Sequence, residues 1–124
     1  MPITLRLLLL SALLGCASAA DAGRQVLHIV FFTWKDDVTP AQEADIGAKL
    51  VALTGKIPGV ISITFGHQNS PEASTKGHGF TAALSVTFAN AAARDAYLPN
   101  PNHQAVVTVL KTMIADLAVV DYDL

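Results

Sequence analysis

A single cysteine, Cys16, stands among the 124 residues of the chain. One thiol excludes an internal disulfide and every cysteine-based zinc site, because those need several thiolates held together. Charge is scarce too: 15% of residues are charged, and 8 Lys and Arg stand against 10 Asp and Glu, a formal charge of −2. Without surplus cations the chain has little with which to grip a phosphate backbone, so no nucleic-acid partner is expected. The four histidines, His28, His67, His78 and His103, contain no i, i+4 pair, and neither a metal nor a cofactor is expected. With 52% hydrophobic residues the sequence is too apolar for disorder, and its length allows one domain.

Part of that hydrophobicity belongs to a leader. Arg6 and the α-amino group precede the apolar run Leu7 to Leu14, and small residues follow from Gly15 to Ala20. This pattern predicts a secretory signal, and the run falls well short of the roughly 20 residues that span a membrane. Ala17-Ser18-Ala19 suits signal peptidase. Leu13-Leu14-Gly15-Cys16 alternatively resembles a lipoprotein box, with Cys16 lipidated as a membrane anchor. The expected division is a signal peptide over 1–20, removed, and a domain over 21–124, exported to the periplasm or secreted. Cleavage would remove Arg6 and no acidic residue, shifting the formal charge from −2 to −3.

In the remaining chain, Val26 to Trp34 is rich in β-branched and aromatic residues and predicts a first strand. Thr39-Pro40-Ala41-Gln42 combines an N-cap threonine, proline at the first helical position and a capping box, so a helix starts at Pro40. Ile46, Leu50, Leu53 and Ile57 give its apolar stripe. Pro58-Gly59 is a turn; Val60 to Gly66 alternates Ile61, Ile63 and Phe65 with polar residues as strand two. A polar loop, His67 to Gly79, leads to a third strand with Phe80, Ala82, Leu84, Val86 and Phe88 on one face. Asn90 caps a short helix through Tyr97, and Asn100-Pro101 opens another, whose stripe is His103, Val107, Leu110 and Ile114, widened by Val106 and Met113. Leu117 to Tyr122 is the final strand.

The order β-α-β-β-α-β is the ferredoxin-like α+β arrangement, an antiparallel four-stranded sheet with its helices on one face. The other face stays bare. Strand one carries Leu27, Ile29 and Phe31 toward it, an apolar set that usually marks an interface. Two sheets packed face to face in a homodimer, a dimeric α/β barrel, are therefore expected; closure of the face by the long loop is the alternative.

Six segments carry a family resemblance. Leu27 to Phe32, Ile57-Pro58-Gly59-Val60, Val86-Thr87-Phe88, Asp95-Ala96-Tyr97, Pro101-Asn102-His103-Gln104 and Val119-Val120-Asp121-Tyr122 together resemble the stress-responsive A/B barrel (Dabb) family. The likeness runs from about Leu27 to Leu124. It implies a dimeric α+β barrel. Most members have no established reaction, while a plant polyketide cyclase among them performs an aldol-type ring closure without a cofactor. Transferred position by position, the family's helix histidine falls on His103, the tyrosine before it on Tyr97 and the strand-one histidine on His28. Asn100 and Ala82 stand where many relatives have histidine, and Leu50 where the cyclase has tyrosine, which implies a drier pocket.

Such chemistry needs a base beside a carbonyl and a donor for the oxyanion. His103 lies in the first turn of a helix, where the positive helix end disfavours imidazolium and keeps the ring neutral. Tyr97 offers a hydroxyl. Each also has a structural reading: His103 as a helix-start residue bonded to a nearby carbonyl, Tyr97 as a core ring, His28 as a buried histidine with one ring nitrogen satisfied. His67, His78, Asp36-Asp37 and Asp121-Tyr122-Asp123 read most simply as solvated. Two functions remain open from sequence: a homodimer that binds a small apolar molecule in a helix-sheet crevice without turnover, and a cofactor-independent cyclase- or lyase-like enzyme using His103 as base on a carbonyl or aromatic substrate.

Overall fold

The computed structural model describes residues 23–72 and 78–124. The expected leader, with both expected processing sites, lies outside the described residues. The elements are β1 (Val26–Trp34), α1 (Pro40–Val51) with a 3-10 turn over Ala52–Gly55, β2 (Val60–His67), β3 (Ala82–Phe88), α2 (Ala91–Tyr97), α3 (Pro101–Leu110) and β4 (Ile114–Asp123). The capping box at Thr39 forms as its spacing predicts: the Thr39 hydroxyl accepts from the Gln42 N–H, and the Gln42 side chain accepts from the Thr39 N–H.

Among the described residues the strands make one antiparallel sheet in the order β2-β3-β1-β4, the ferredoxin-like α+β topology. Alternation decides the faces. Val26, His28, Val30 and Phe32 of β1 are buried beneath the helices, with Ala82, Leu84, Val86 and Phe88 of β3 beside them. Ile46, Leu50 and Leu53 close this core from α1 and the turn that follows. The helix approaches β2 closely at Gly47, where a Cβ would collide with the Phe65 ring. At the Pro58-Gly59 turn, Gly59 has φ +82, a conformation that favours glycine.

Three local expectations are corrected. A bulge between Val60 and Ser62 makes the extra residue Ile61 drop out of the alternation, so it faces solvent instead of the core. Phe80 precedes β3 and packs on Phe31 of the bare face, with ring centroids 5.6 Å apart, rather than joining the core stripe. Ile114 opens β4 instead of closing a helix: the chain turns tightly after Leu110, and the Lys35 N–H bonded to the Met113 carbonyl starts the strand ladder.

Candidate functional site

Two prolines and two asparagines build the corner that holds His103. The Asn90 side chain accepts from the Ala93 N–H and starts α2, which places Tyr97 on its last turn. Pro99 lacks a donor to continue the helix, and Asn100 restarts the chain as α3 by accepting from the Asn102 N–H. His103 is thereby turned back over Tyr97, their ring centroids 4.1 Å apart. Its Nδ1–H donates to the Leu98 carbonyl at 2.9 Å, a bond that fixes the tautomer, and the Gln104 amide donates to the same carbonyl. Nε2 is left as the acceptor and makes no hydrogen bond among the described residues.

Tyr97 is 1% exposed, and its hydroxyl has no hydrogen-bond partner among the described residues. Burial pushes the phenol up to about 12, so it stays protonated, a donor without an acceptor. Its ring meets Phe88 edge-on at 5.0 Å, and Phe88 lies 6.2 Å from the His28 ring. His28 is held from the other side: its Nδ1 bonds Asp121 Oδ1 at 2.7 Å, while Asp121 Oδ2 accepts from Arg94 at 3.1 Å. Asp121 stands directly opposite His28 in the β1/β4 ladder.

Burial is the leading cause that lowers the His103 pKa below its ordinary 6.5; the Leu98 carbonyl opposes it, and nearby His28 adds to it. The neutral ring expected from sequence is thus produced chiefly by desolvation. The structural and chemical readings of His103 also occupy different atoms, Nδ1 for the fold and Nε2 for chemistry. His28, Tyr97 and His103 come together. His67 does not join them; it bonds Glu43 at 2.7 Å, and Glu43 also accepts from the Trp34 indole N–H. His78 lies in the exposed loop with φ 51. Asp121, which the sequence presents as a solvated strand end, is instead the anchor of His28, and Arg94, which no sequence motif marks, completes that anchor.

Leu117 and Val119 continue the helix-side row from Asp121 along β4, yet are 46% and 51% exposed. They form an uncovered apolar wall beside the polar cluster. A cleft of about 590 Å³ opens elsewhere, on the bare sheet face, and includes none of the three site residues; the converging rings, rather than volume, mark the candidate site. Leu50 and Ala82 are buried and apolar.

Fold and site define a ferredoxin-like α+β protein with a histidine-tyrosine cluster under its helices. The chain belongs to the stress responsive A/B barrel domain (Dabb) family, whose model matches residues 26–124. It is 26% identical to olivetolic acid cyclase of Cannabis sativa over 97 residues, covering 78% of this chain and 94% of that one. Among solved structures it is similar to a dimeric ferredoxin-like protein of unknown function from Thermobifida fusca, with TM-score 0.72, 27% identity and coverage of 82% and 92%. Hydroxynitrile lyase from Passiflora edulis shares the fold, with TM-score 0.73, 23% identity and coverage of 81% and 93%.

Removing the Tyr97 hydroxyl separates stability from function. An unsatisfied buried hydroxyl carries a desolvation cost, so Tyr97→Phe is expected to stabilise the fold by about 1 kcal/mol, read from the urea midpoint. A loss of stability would mean that the hydroxyl has a structural partner.

Proposed function

We propose that this chain is an exported homodimer that binds a small, largely apolar carbonyl compound in the helix-sheet crevice and acts on it as a cofactor-independent acid-base catalyst. One observation carries the reading: the ring of Tyr97, whose buried hydroxyl has no partner among the described residues, packs 4.1 Å from the ring of His103, whose Nδ1 is bonded to the Leu98 carbonyl and whose Nε2 is left to accept a proton. In the proposed step Nε2 takes a proton from the carbon next to the carbonyl. The C–H electron pair becomes the new C–C π bond, the carbonyl π pair moves onto oxygen, and the Tyr97 O–H donates a hydrogen bond to that oxygen. His28, held by Asp121 and Arg94, is a positioning residue that borders the same space. Leu117 and Val119 supply the apolar wall for the rest of the molecule. The likeness to olivetolic acid cyclase supports carbonyl chemistry.

A carrier that holds its molecule without turnover is the second reading, favoured by the apolar Leu50 and Ala82. Dimerisation rests on Leu27, Ile29 and Phe31 of the bare face and on the dimeric neighbours; export rests on the leader sequence. Native mass spectrometry of protein recovered from a bacterial envelope without refolding is expected to give a dimer carrying an apolar molecule. A monomer would overturn the paired sheets, and a dimer persistently empty across preparations would overturn tight binding.

The pH profile follows from the two shifts. His103 must be neutral to accept a proton, so turnover is expected to rise with pH on a limb centred below 6.5 and then stay level, since Tyr97 remains protonated up to about 12. Measured as proton exchange of phenylacetone in D2O, a limb centred above 6.5 would assign the base elsewhere.

A further inference from the structure

The bare face of the sheet carries rows of side chains that run across its strands. Taken in the order β4, β1, β3, β2, the middle row is Val120, Ile29, Ser85 and Thr64. The rows beside it are Tyr122, Leu27, Thr87 and Ser62, and Ala118, Phe31, Ala83 and Gly66. Each row falls from large to small. The β4 and β1 positions are aliphatic or aromatic, Ala118 being the smallest, whereas β3 and β2 contribute only serine, threonine, alanine and glycine. On the large half, Val120 and Tyr122 are left half exposed. The small half is hollow, and the cleft of about 590 Å³ opens over Thr64, Gly66, Ala83 and Ser85.

Such a face is complementary to itself. A two-fold axis that runs along the strands, between β1 and β3, exchanges the halves and keeps every residue in its own row. Val120 and Ile29 of one protomer then lie over the partner's Thr64 and Ser85, and Tyr122 and Leu27 over the partner's Ser62 and Thr87. An axis that runs across the strands also brings two faces together, but it lays each strand on itself. That arrangement presses the large halves against each other and leaves the two hollows facing, a void that close-packed interiors do not keep. Packed sheets lie about 10 Å apart and within about 30° of each other, so the middle row holds its match. His67, Gln68, Asn69 and His78 line the cleft beyond these rows and supply the polar rim that interfaces carry.

We propose that the cleft is a socket for a second copy of this chain, filled by Ile29 and Val120 of the partner subunit, with the two-fold axis along the strands. The proposal rests on the homodimer reading and adds to it which half meets which. On this arrangement the cleft is part of the interface and takes no small molecule.

The test is an isotope-filtered NOE measurement on dimers made by mixing carbon-13-labelled and unlabelled chains in urea and refolding them together. Within one chain Val120 and Thr64 stand three strand spacings apart, roughly 14 Å, beyond the reach of an NOE. Contacts between protomers are expected from the Val120 methyls to the Thr64 methyl and from Ile29 to Ser85. Contacts of Val120 with Val120 and of Ile29 with Ile29 would instead establish the axis across the strands and overturn the proposal, as would a dimer with no contacts between these rows. A chain that is monomeric by native mass spectrometry would overturn the homodimer reading itself. Thr64→Leu, which overfills the socket, should weaken the dimer about tenfold, and Val120→Ala in the same chain should recover most of that loss. Losses that simply add in the double variant would mean that the two residues do not meet, which also overturns the proposal.

Discussion

His103→Ala is expected to slow proton exchange of phenylacetone by about 10²- to 10⁴-fold, the range that a general base contributes. The fold should survive the change. His103 is only half-buried, and the Leu98 carbonyl that it caps keeps a second donor in the Gln104 side chain. Tyr97→Phe keeps the ring and the base but removes the oxyanion donor, so a smaller loss, about 10²-fold, accompanies its gain in stability. Equal exchange rates in wild type and His103→Ala, with the dimer intact, would end the catalytic reading. An unfolded His103→Ala would assign the residue to structure.

Phe88→Ala is expected to cost about 3–5 kcal/mol, out of the roughly 5–15 kcal/mol that holds a domain together. Phe88 is 0% exposed, and its ring is the spacer between His28 and Tyr97. Deleting it opens a cavity at the centre of the core and frees both neighbours. The urea midpoint should fall with little change in slope, and exchange activity should drop even where the protein remains folded. Phe88→Leu, which retains most of the volume, should recover most of the stability and less of the activity, because the edge-on contact that orients Tyr97 is lost. A cost under about 1 kcal/mol for Phe88→Ala would contradict the packing described.

Much of the fold is legible because its determinants are local. The caps at Thr39, Asn90 and Asn100 and the alternation of β1 and β3 act within a few residues, and each appears where the sequence puts it. Ile61 misleads because a bulge belongs to a strand pair rather than to one strand. Ile114 misleads because helical spacing continues past Leu110 into a segment that the β1 ladder claims. The site divides the same way. Tyr97 and His103 sit at a proline-broken helix corner and can be found from sequence, whereas the role of Asp121 needs the β1/β4 register. A signal was present: Leu117, Val119 and Asp121 alternate onto one face, and an acid that continues an apolar row, facing a strand with an inward histidine, asks for a partner.

The His28–Asp121 bridge joins residues 93 positions apart, and one of them lies on an edge strand that is paired along a single side. Edge strands open more readily than central ones. Each fraying of β4 takes the carboxylate away from His28, releases that imidazole to change tautomer and lowers the Leu117–Val119 wall. The site therefore exists only while an edge strand is zipped: local opening of β4 dissolves the bridge without unfolding the core beneath it.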